Sequence, residues 1–163
     1  IHYGAGKTLR GRLVLAGGLK GGEEYLLSLK EKAGKLPIEF IPNPDFIELK
    51  KLYAKAKVFW HAAGYGVNEK ENPEKVEHFG ITTVEAMAAG AVPVVIDRGG
   101  QREIITAETG FLCQTTDEMI EHTVDLFEST TKLSQMSSAA TVRAVDFSIK
   151  SFQSPVASIL IAK

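Results

Sequence analysis

The stretch Glu77–Gly100 reads EHFGITTVEAMAAGAVPVVIDRGG, and the fold prediction starts from it. A glycine-containing loop leads into a short helix, predicted over about residues 82–89, with Gly90 as its C-cap. Val92–Ile96 follows as an apolar, valine-rich run that is typical of a strand. A helix that leads directly into such a strand indicates part of a βαβ unit.

The same alternation of short apolar strands and amphipathic helices continues on both sides of this stretch. Further strands are predicted at 13–16, 38–41, 58–60 and 111–113, and further helices at about 23–32, 46–56, 117–128 and 131–145, with a last one starting at Ser154. We therefore predict an α/β fold with a Rossmann-like parallel sheet flanked by helices. A length of 163 residues fits a single domain, which we assign to residues 1–163.

Composition excludes several classes of function. Lys and Arg number 19 against 20 Asp and Glu, so the net charge is -1 and nucleic acid is not expected as a partner. No apolar run is long enough to span a bilayer, and direct membrane contact is not indicated. A single cysteine, Cys113, and four scattered histidines give no metal-ligand spacing, so we expect no metal and a reducing, cytoplasmic location.

Two carboxylates, Glu77 and Glu85, stand eight positions apart on either side of a predicted helix N-terminus. The free backbone N–H groups of residues 80–83 and the positive end of the helix dipole suit a diphosphate. Carboxylates on either side can accept hydrogen bonds from sugar hydroxyls, so a nucleotide-sugar is the predicted ligand. On spacing alone, Thr82–Glu85 also fits a capping box, in which Glu85 would serve only the helix.

Glu77 through Glu85 resembles the E-x7-E motif of retaining glycosyltransferases of family 4. The run that continues to Val95, the following Gly99-Gly100 and the later Thr109–Leu112 carry the same resemblance. It covers roughly residues 9–150 in the order of the elements. The resemblance implies the C-terminal, donor-binding half of a GT-B enzyme, in which two Rossmann-like domains face each other across a cleft.

The resemblance also implies roles for individual residues. Glu85 would accept the ribose diol, and Glu77 would contact donor-sugar hydroxyls near the reaction centre. His78 stands where many relatives have glycine; we group it with Glu77 as catalytic, while a solvent-facing side chain stays an open alternative. Further donor contacts are implied for Gly17, Gly18, Asn43, Phe79, Gly80, Ile81 and Thr82.

The implied reaction moves a sugar from a nucleotide-sugar, such as a UDP- or GDP-sugar, to a glycan, lipid-linked or small-molecule acceptor. It would retain the anomeric configuration and need no metal or other cofactor. The chain opens without Met and has no basic pair for the diphosphate before Leu13, so we interpret it as an N-terminally truncated fragment that is inactive alone. The acceptor would be bound mainly by the missing N-terminal domain, which could also hold the protein at the cytosolic face of a membrane.

Two alternatives stay open at this point: a nucleotide-sugar epimerase of the same fold, and a non-catalytic nucleotide-binding module. Three further features have open interpretations. His61, just past a strand end, is a weaker site candidate, and the charges of 69–74 in the long loop 61–76 are interpreted as a solvated loop tip. Gly99-Gly100 is either a tight turn or a place where a ligand approaches the backbone.

Overall fold

The structure of the protein is a computed structural model that describes residues 2–3, 7–8, 11–153 and 156. The chain divides into two compact units, Ile1–Leu52 and Tyr53–Lys163. The assignment of residues 1–163 to a single nucleotide-sugar-binding domain stays a prediction. In the part of the chain that the structure describes, no helix is both long and apolar enough to cross a bilayer.

The first unit contains a short antiparallel pair and one parallel βαβ unit. Its elements, with a second helix that starts in this unit, are β1 (His2–Tyr3), β2 (Lys7–Thr8), β3 (Leu13–Gly17), α1 (Glu23–Ala33), β4 (Ile38–Pro42) and α2 (Phe46–Lys55). β1 pairs with β2, and β3 pairs with β4 in parallel register, with Leu13 opposite Ile38 and Gly17 opposite Pro42. The carboxyl ends of β3 and β4 therefore lie side by side.

The second unit is built on a three-stranded parallel sheet of order β5-β6-β7. Its elements are β5 (Val58–His61), α3 (Ile81–Ala88), β6 (Val92–Ile96), α4 (Gln101–Ile104), β7 (Phe111–Cys113), α5 (Thr116–Glu128) and α6 (Thr130–Ala144). This unit also contains two 3-10 turns, Pro73–Lys75 and Val145–Phe147. The predicted α/β fold with parallel strands and flanking helices is confirmed.

The central strand β6 is buried on both faces and joins two apolar clusters. Val92, Val94 and Ile96 pack in one cluster with Leu126 of α5, and Val95 packs in the other with residues of α3, α4 and α6. Because side chains alternate along a strand, a continuous apolar run is what burial on both faces requires. Cys113 is fully buried in the first cluster, and burial raises the pKa of its thiol to about 11.

A proline lies inside this central strand. Pro93 is fully buried, and the backbone of Gly110 packs against its ring and carbonyl so closely that a Cβ at 110 would lie 2.6 Å from the Pro93 Cγ. Proline contributes no backbone N–H to the ladder and is rare in central strands. A glycine beside it provides the space that the ring needs.

Two helices differ from the sequence prediction. The four-residue α4 was not predicted, because one helical turn is too short to show a 3.6-residue periodicity. The last helix was expected to start at Ser154, which lies outside the described residues, but 149–153 are already helical. There the Ser148 hydroxyl oxygen accepts the N–H of Ser151 at 3.2 Å, which is an N-cap contact.

We expect Leu126→Ala to lower the free energy of unfolding of the second unit by about 2–5 kcal/mol, because it leaves a cavity in a packed cluster. Leu27→Ala on α1 is the matched control, since Leu27 is 65% exposed while Leu126 is 0% exposed. The measurement is urea denaturation followed by the fluorescence of Trp60, the single tryptophan, whose indole N–H donates to the Thr123 hydroxyl at 2.7 Å. Equal midpoints for both variants would contradict this core.

Candidate functional site

Helix α3 begins at Ile81 with a glycine cap and no side-chain cap. Gly80 is the N-cap residue at φ 99, in the left-handed region, and its carbonyl accepts the N–H groups of Thr83 and Val84 at 3.0 and 3.1 Å. The capping box of residues 82–85 is therefore wrong: the helix starts before Thr82 and Glu85 does not reach back to a cap amide. Glycine fits this cap because it adopts positive φ without steric cost.

The first turn of α3 leaves backbone donors available. Among the described residues we find no acceptor for the N–H groups of Gly80, Ile81 and Thr82. These groups lie at the positive end of the helix dipole, where an anion is stabilised. Phe79, immediately before the cap, is 43% exposed and makes an edge contact with Phe147 at 5.9 Å between ring centroids.

Glu85 is partly buried, one turn into α3, and contacts a tyrosine from the end of α2. The Tyr53 hydroxyl donates to Glu85 Oε2 at 3.3 Å. Burial, followed by the charge of Glu85 and this hydrogen bond, raises the pKa of Tyr53 to about 12. The hydrogen bond uses one carboxylate oxygen, so the other stays available for a further donor.

Glu77 lies on the loop before α3 and is held by its backbone and by its side chain. Its carbonyl accepts the N–H of Gly100 at 2.8 Å, and its Oε1 lies 3.4 Å from the backbone nitrogen of Phe79. Its Oε2 lies 3.3 Å from Nε2 of His61, at the end of β5. The Glu77 side chain is 30% exposed, so it is open to solvent on one side.

Gly99 and Gly100 make room for the loop that carries Glu77. A Cβ on Gly99 would overlap the Glu77 carbonyl, and a Cβ on Gly100 would overlap the carbonyl of His78. Gly99 also has a positive φ of 54. Gly99 and Gly100 lie in a turn, as one of the two sequence interpretations held, and they also allow a close approach of the chain's own backbone, which neither interpretation included.

The long loop after β5 is anchored by Glu69. Its carboxylate accepts the N–H of Gly99 at 3.1 Å and pairs with Arg102 at 3.2 Å, and Arg102 also pairs with Asp97 at 2.6 Å. The charged residues of 69–74 were interpreted as a solvated loop tip. That interpretation is wrong for Glu69, whose side chain is 32% exposed and makes these contacts. Sequence spacing gives no signal for this contact, because Glu69 and Gly99 are distant along the chain.

His78 contacts its own loop. Its Nε2 lies 3.2 Å from the carbonyl oxygen of Pro73, and the residue is exposed. The structure therefore brings Glu77, Glu85 and the start of α3 together in the second unit, with His78 at the exposed side. A direct part of His78 in the reaction stays a prediction.

In the first unit, the predicted residues Gly17, Gly18 and Asn43 lie together at the carboxyl ends of β3 and β4. The Asn43 N–H donates to the Gly17 carbonyl at 2.8 Å, and its side-chain oxygen accepts the N–H of Leu19 at 2.8 Å. Asn43 has a positive φ of 51, and Gly17 and Gly18 have open space where a Cβ would be. Their contact with a donor stays a prediction.

We also looked for side chains that could bind a metal ion. Within the described ranges, no group of three or more His, Cys, Asp or Glu residues is placed to hold a metal ion.

Comparison with known proteins assigns the family. A family model described as "Glycosyl transferases group 1" matches residues 8–143. The chain belongs to this family. Among curated relatives, the GDP-Man:Man(3)GlcNAc(2)-PP-Dol alpha-1,2-mannosyltransferase of Xenopus tropicalis is 35% identical over 120 residues, covering 68% of this chain and 22% of the relative. The Dictyostelium discoideum protein of the same name is 30% identical over 154 residues, covering 90% of this chain and 28% of the relative.

Solved structures agree on the fold. Anabaena Alr3699/HepE in complex with UDP-glucose matches with a TM-score of 0.75 and 22% identity over 93% of this chain and 41% of that chain. The pneumococcal O-GlcNAc transferase GtfA, in complex with UDP and GlcNAc, matches with a TM-score of 0.61 and 17% identity over 92% of this chain and 30% of that chain. The predicted fold class of a GT-B glycosyltransferase half is confirmed. This glycosyltransferase chain spans less than a third of the length of the curated relatives above.

Three residues at the site were underrated or missed. Tyr53 lies in the predicted helix 46–56 but was not named as a site residue, and Gln101 lies in the helix that was not predicted. His61 was ranked below His78, although its side chain is only 17% exposed and lies beside Glu77. A polar residue directly after a predicted strand was the available signal for His61, because strand ends in α/β sheets border binding sites.

We expect Gly100→Ala to lower the free energy of unfolding by about 1–3 kcal/mol, because its Cβ would overlap backbone atoms of residues 78 and 79. Gly100 has φ -65 and ψ -11, which alanine adopts easily, so the loss would report crowding alone. Gly11→Ala is the control, since no heavy atom lies within 4 Å of a Cβ there. Denaturation followed by Trp60 fluorescence measures both, and an unchanged stability of the Gly100 variant would contradict the close approach.

We expect Tyr53→Phe to remove a pH-dependent contribution to stability. The folded pKa of about 12 lies above the usual tyrosine pKa of 10.0, so the contribution is full below pH 10 and is lost as the pH rises through the folded pKa. The difference in unfolding free energy between wild type and Tyr53→Phe should therefore be constant up to about pH 10 and shrink above it. Urea denaturation at a series of pH values measures this difference, and a constant difference up to pH 12 would argue against a raised pKa of Tyr53 and the burial beside Glu85 that causes it.

Proposed function

We propose that this chain is the donor-binding domain of a retaining glycosyltransferase of family 4 that uses GDP-mannose. The observation that carries the proposal is the pair Glu77 and Glu85 on either side of a helix N-terminus with free N–H groups. Guanosine and mannose are proposed from the curated relatives, which are named for GDP-Man as donor. Binding of UDP and UDP-glucose by structural neighbours supports a nucleotide-sugar in general.

We propose that different groups of the site bind different parts of the donor. The N–H groups of Gly80, Ile81 and Thr82 would bind the diphosphate, and Glu85 would accept the ribose diol through the oxygen that Tyr53 leaves open. Glu77 would contact the mannose hydroxyls near the carbon that is transferred. Gly17, Gly18 and Asn43 stay proposed donor contacts, as does Phe79.

In the proposed reaction the bond between the mannose anomeric carbon and the phosphate oxygen breaks, the acceptor hydroxyl oxygen bonds to that carbon, and the hydroxyl proton passes to the leaving GDP. The leaving diphosphate gains negative charge as this bond breaks. Oriented N–H groups at a helix N-terminus stabilise such developing charge without reorganising. We propose no metal for this step, and His78 is the proposed candidate for a hydrogen bond to a phosphate or for proton transfer.

The acceptor is proposed to be a lipid-linked oligosaccharide that is bound mainly outside this chain. The curated relatives are named for a dolichol-linked acceptor, and the chain spans only 22% of the Xenopus tropicalis relative. The proposed location is cytoplasmic, at a membrane face where such an acceptor lies. The chain alone is then expected to bind donor without transferring sugar. The relatives' names favour transfer over epimerisation.

We expect Glu85→Gln to weaken GDP binding by about 1.5–3 kcal/mol, because the charge-assisted hydrogen bonds to the ribose diol are lost. Glutamine keeps a side-chain oxygen that can accept from Tyr53, so the fold should stay intact. Titrations of the chain with GDP, UDP, GDP-mannose and UDP-glucose, followed by NMR, measure the affinities and the preferred base.

Glu48→Gln is the matched control, since Glu48 is an exposed carboxylate on α2. Its affinity for GDP should equal that of the wild type, which we expect to lie in the high micromolar to millimolar range, about −4 to −6 kcal/mol. An unchanged affinity of Glu85→Gln would remove Glu85 from the site. Equal or tighter binding of UDP would reject guanosine as the base, and no nucleotide binding at all would reject the proposed function.

A further inference from the structure

His61 is held between two polar side chains at the end of β5. Its Nδ1 lies 3.3 Å from Nε2 of Gln101, and its Nε2 lies 3.3 Å from Oε2 of Glu77. The side chain is 17% exposed, and the ring of Phe59 packs at 6.3 Å between centroids. The imidazole thus has one fixed neighbour on each nitrogen.

The chemistry of these neighbours sets the direction of the hydrogen bonds. An amide nitrogen only donates, so Nδ1 of a neutral His61 must accept from Gln101 and the ring proton lies on Nε2. A carboxylate only accepts, so this N–H donates to Glu77. The three side chains form a chain of donation from Gln101 through His61 to Glu77.

Gln101 is itself fixed by its surroundings. It is 1% exposed, and its amide packs against the backbone of Gly80, where a Cβ would lie 3.0 Å from Nε2. Its Oε1 has no hydrogen-bond partner in the described structure. A buried unpaired oxygen costs free energy, and an apolar side chain at this position would avoid that cost. Stability alone therefore does not explain a glutamine here.

We propose that His61 is the positioning residue of Glu77, held by Gln101 as the Nε2–H tautomer. Glu77 lies on an irregular loop, where a carboxylate has several rotamers, and the hydrogen bond from His61 selects one of them. The proposal rests on the proposed function for what Glu77 then contacts, which is a hydroxyl of the donor sugar. His61 itself acts on the donor only through Glu77.

The first test measures the tautomer in the chain without ligand. Long-range proton–nitrogen NMR spectra identify the protonated nitrogen of each histidine, and His61→Phe assigns the His61 signals. We expect Nε2–H for His61 in the wild type and a measurable Nδ1–H population in Gln101→Leu, where Glu77 alone still favours Nε2–H. An Nδ1–H tautomer in the wild type, or the same tautomer population in Gln101→Leu, would overturn the proposal.

The second test separates the sugar from the nucleotide. In His61→Phe we expect GDP-mannose binding to weaken about 10-fold, the size of the loss when one hydrogen bond to a charged group is removed, with GDP binding unchanged. His61→Gln should restore most of the affinity, because its amide nitrogen can donate to Glu77. A general loss of folding would weaken both ligands and would not be rescued in this way.

His122→Phe is the matched control, since His122 lies on α5 and stacks on Phe111 at 4.1 Å between centroids. It should bind both ligands like the wild type. Equal weakening of GDP and GDP-mannose in His61→Phe would overturn the positioning role. If the wild type binds both ligands equally, the sugar contact of Glu77 in the proposed function fails, and the tautomer measurement alone then decides the role of His61.

Discussion

The second unit depends on the absence of side chains at Gly99 and Gly100. The backbone of residues 77 and 78 crosses the end of β6 so closely that a Cβ at either glycine would overlap a carbonyl oxygen. The Gly100 N–H completes the contact by donating to the Glu77 carbonyl at 2.8 Å. Because protein interiors are close-packed, this approach fixes where Glu77 lies and where α3 can begin. The positions of Glu77 and of α3, which carries Glu85, therefore depend on this contact.

Each carboxylate of the site lies against a side chain from α2 or β5. Tyr53 at the end of α2 donates to Glu85, and His61 at the end of β5 lies against Glu77. Contacts from α2 and β5 therefore orient the carboxylates of Glu85 and Glu77. Such supporting contacts keep functional side chains within a narrow range of geometry.

The parts of the fold that follow from local pattern could be predicted from the sequence. Val92–Ile96 was predicted with its observed bounds, because a strand buried on both faces must be apolar at every position. The contacts of Glu69 and His61 could not be predicted, because they join residues far apart in sequence through a tertiary fold. The start of α3 was misplaced because Thr82 offers a familiar cap, whereas the chain uses a left-handed Gly80.

Pro93 helps to define the register between the central strand β6 and its neighbour β7. It is the residue of β6 that lacks a backbone N–H, and its ring packs where Gly110, just before β7, has no side chain. If β7 slipped by one residue, the side chain of Thr109 or Phe111 would stand opposite that ring in place of Gly110. Each side chain of β7 would then point to the other face of the sheet. The Pro93–Gly110 pair therefore favours one register of β7 on β6, even though the other residues of β6 are all valine or isoleucine.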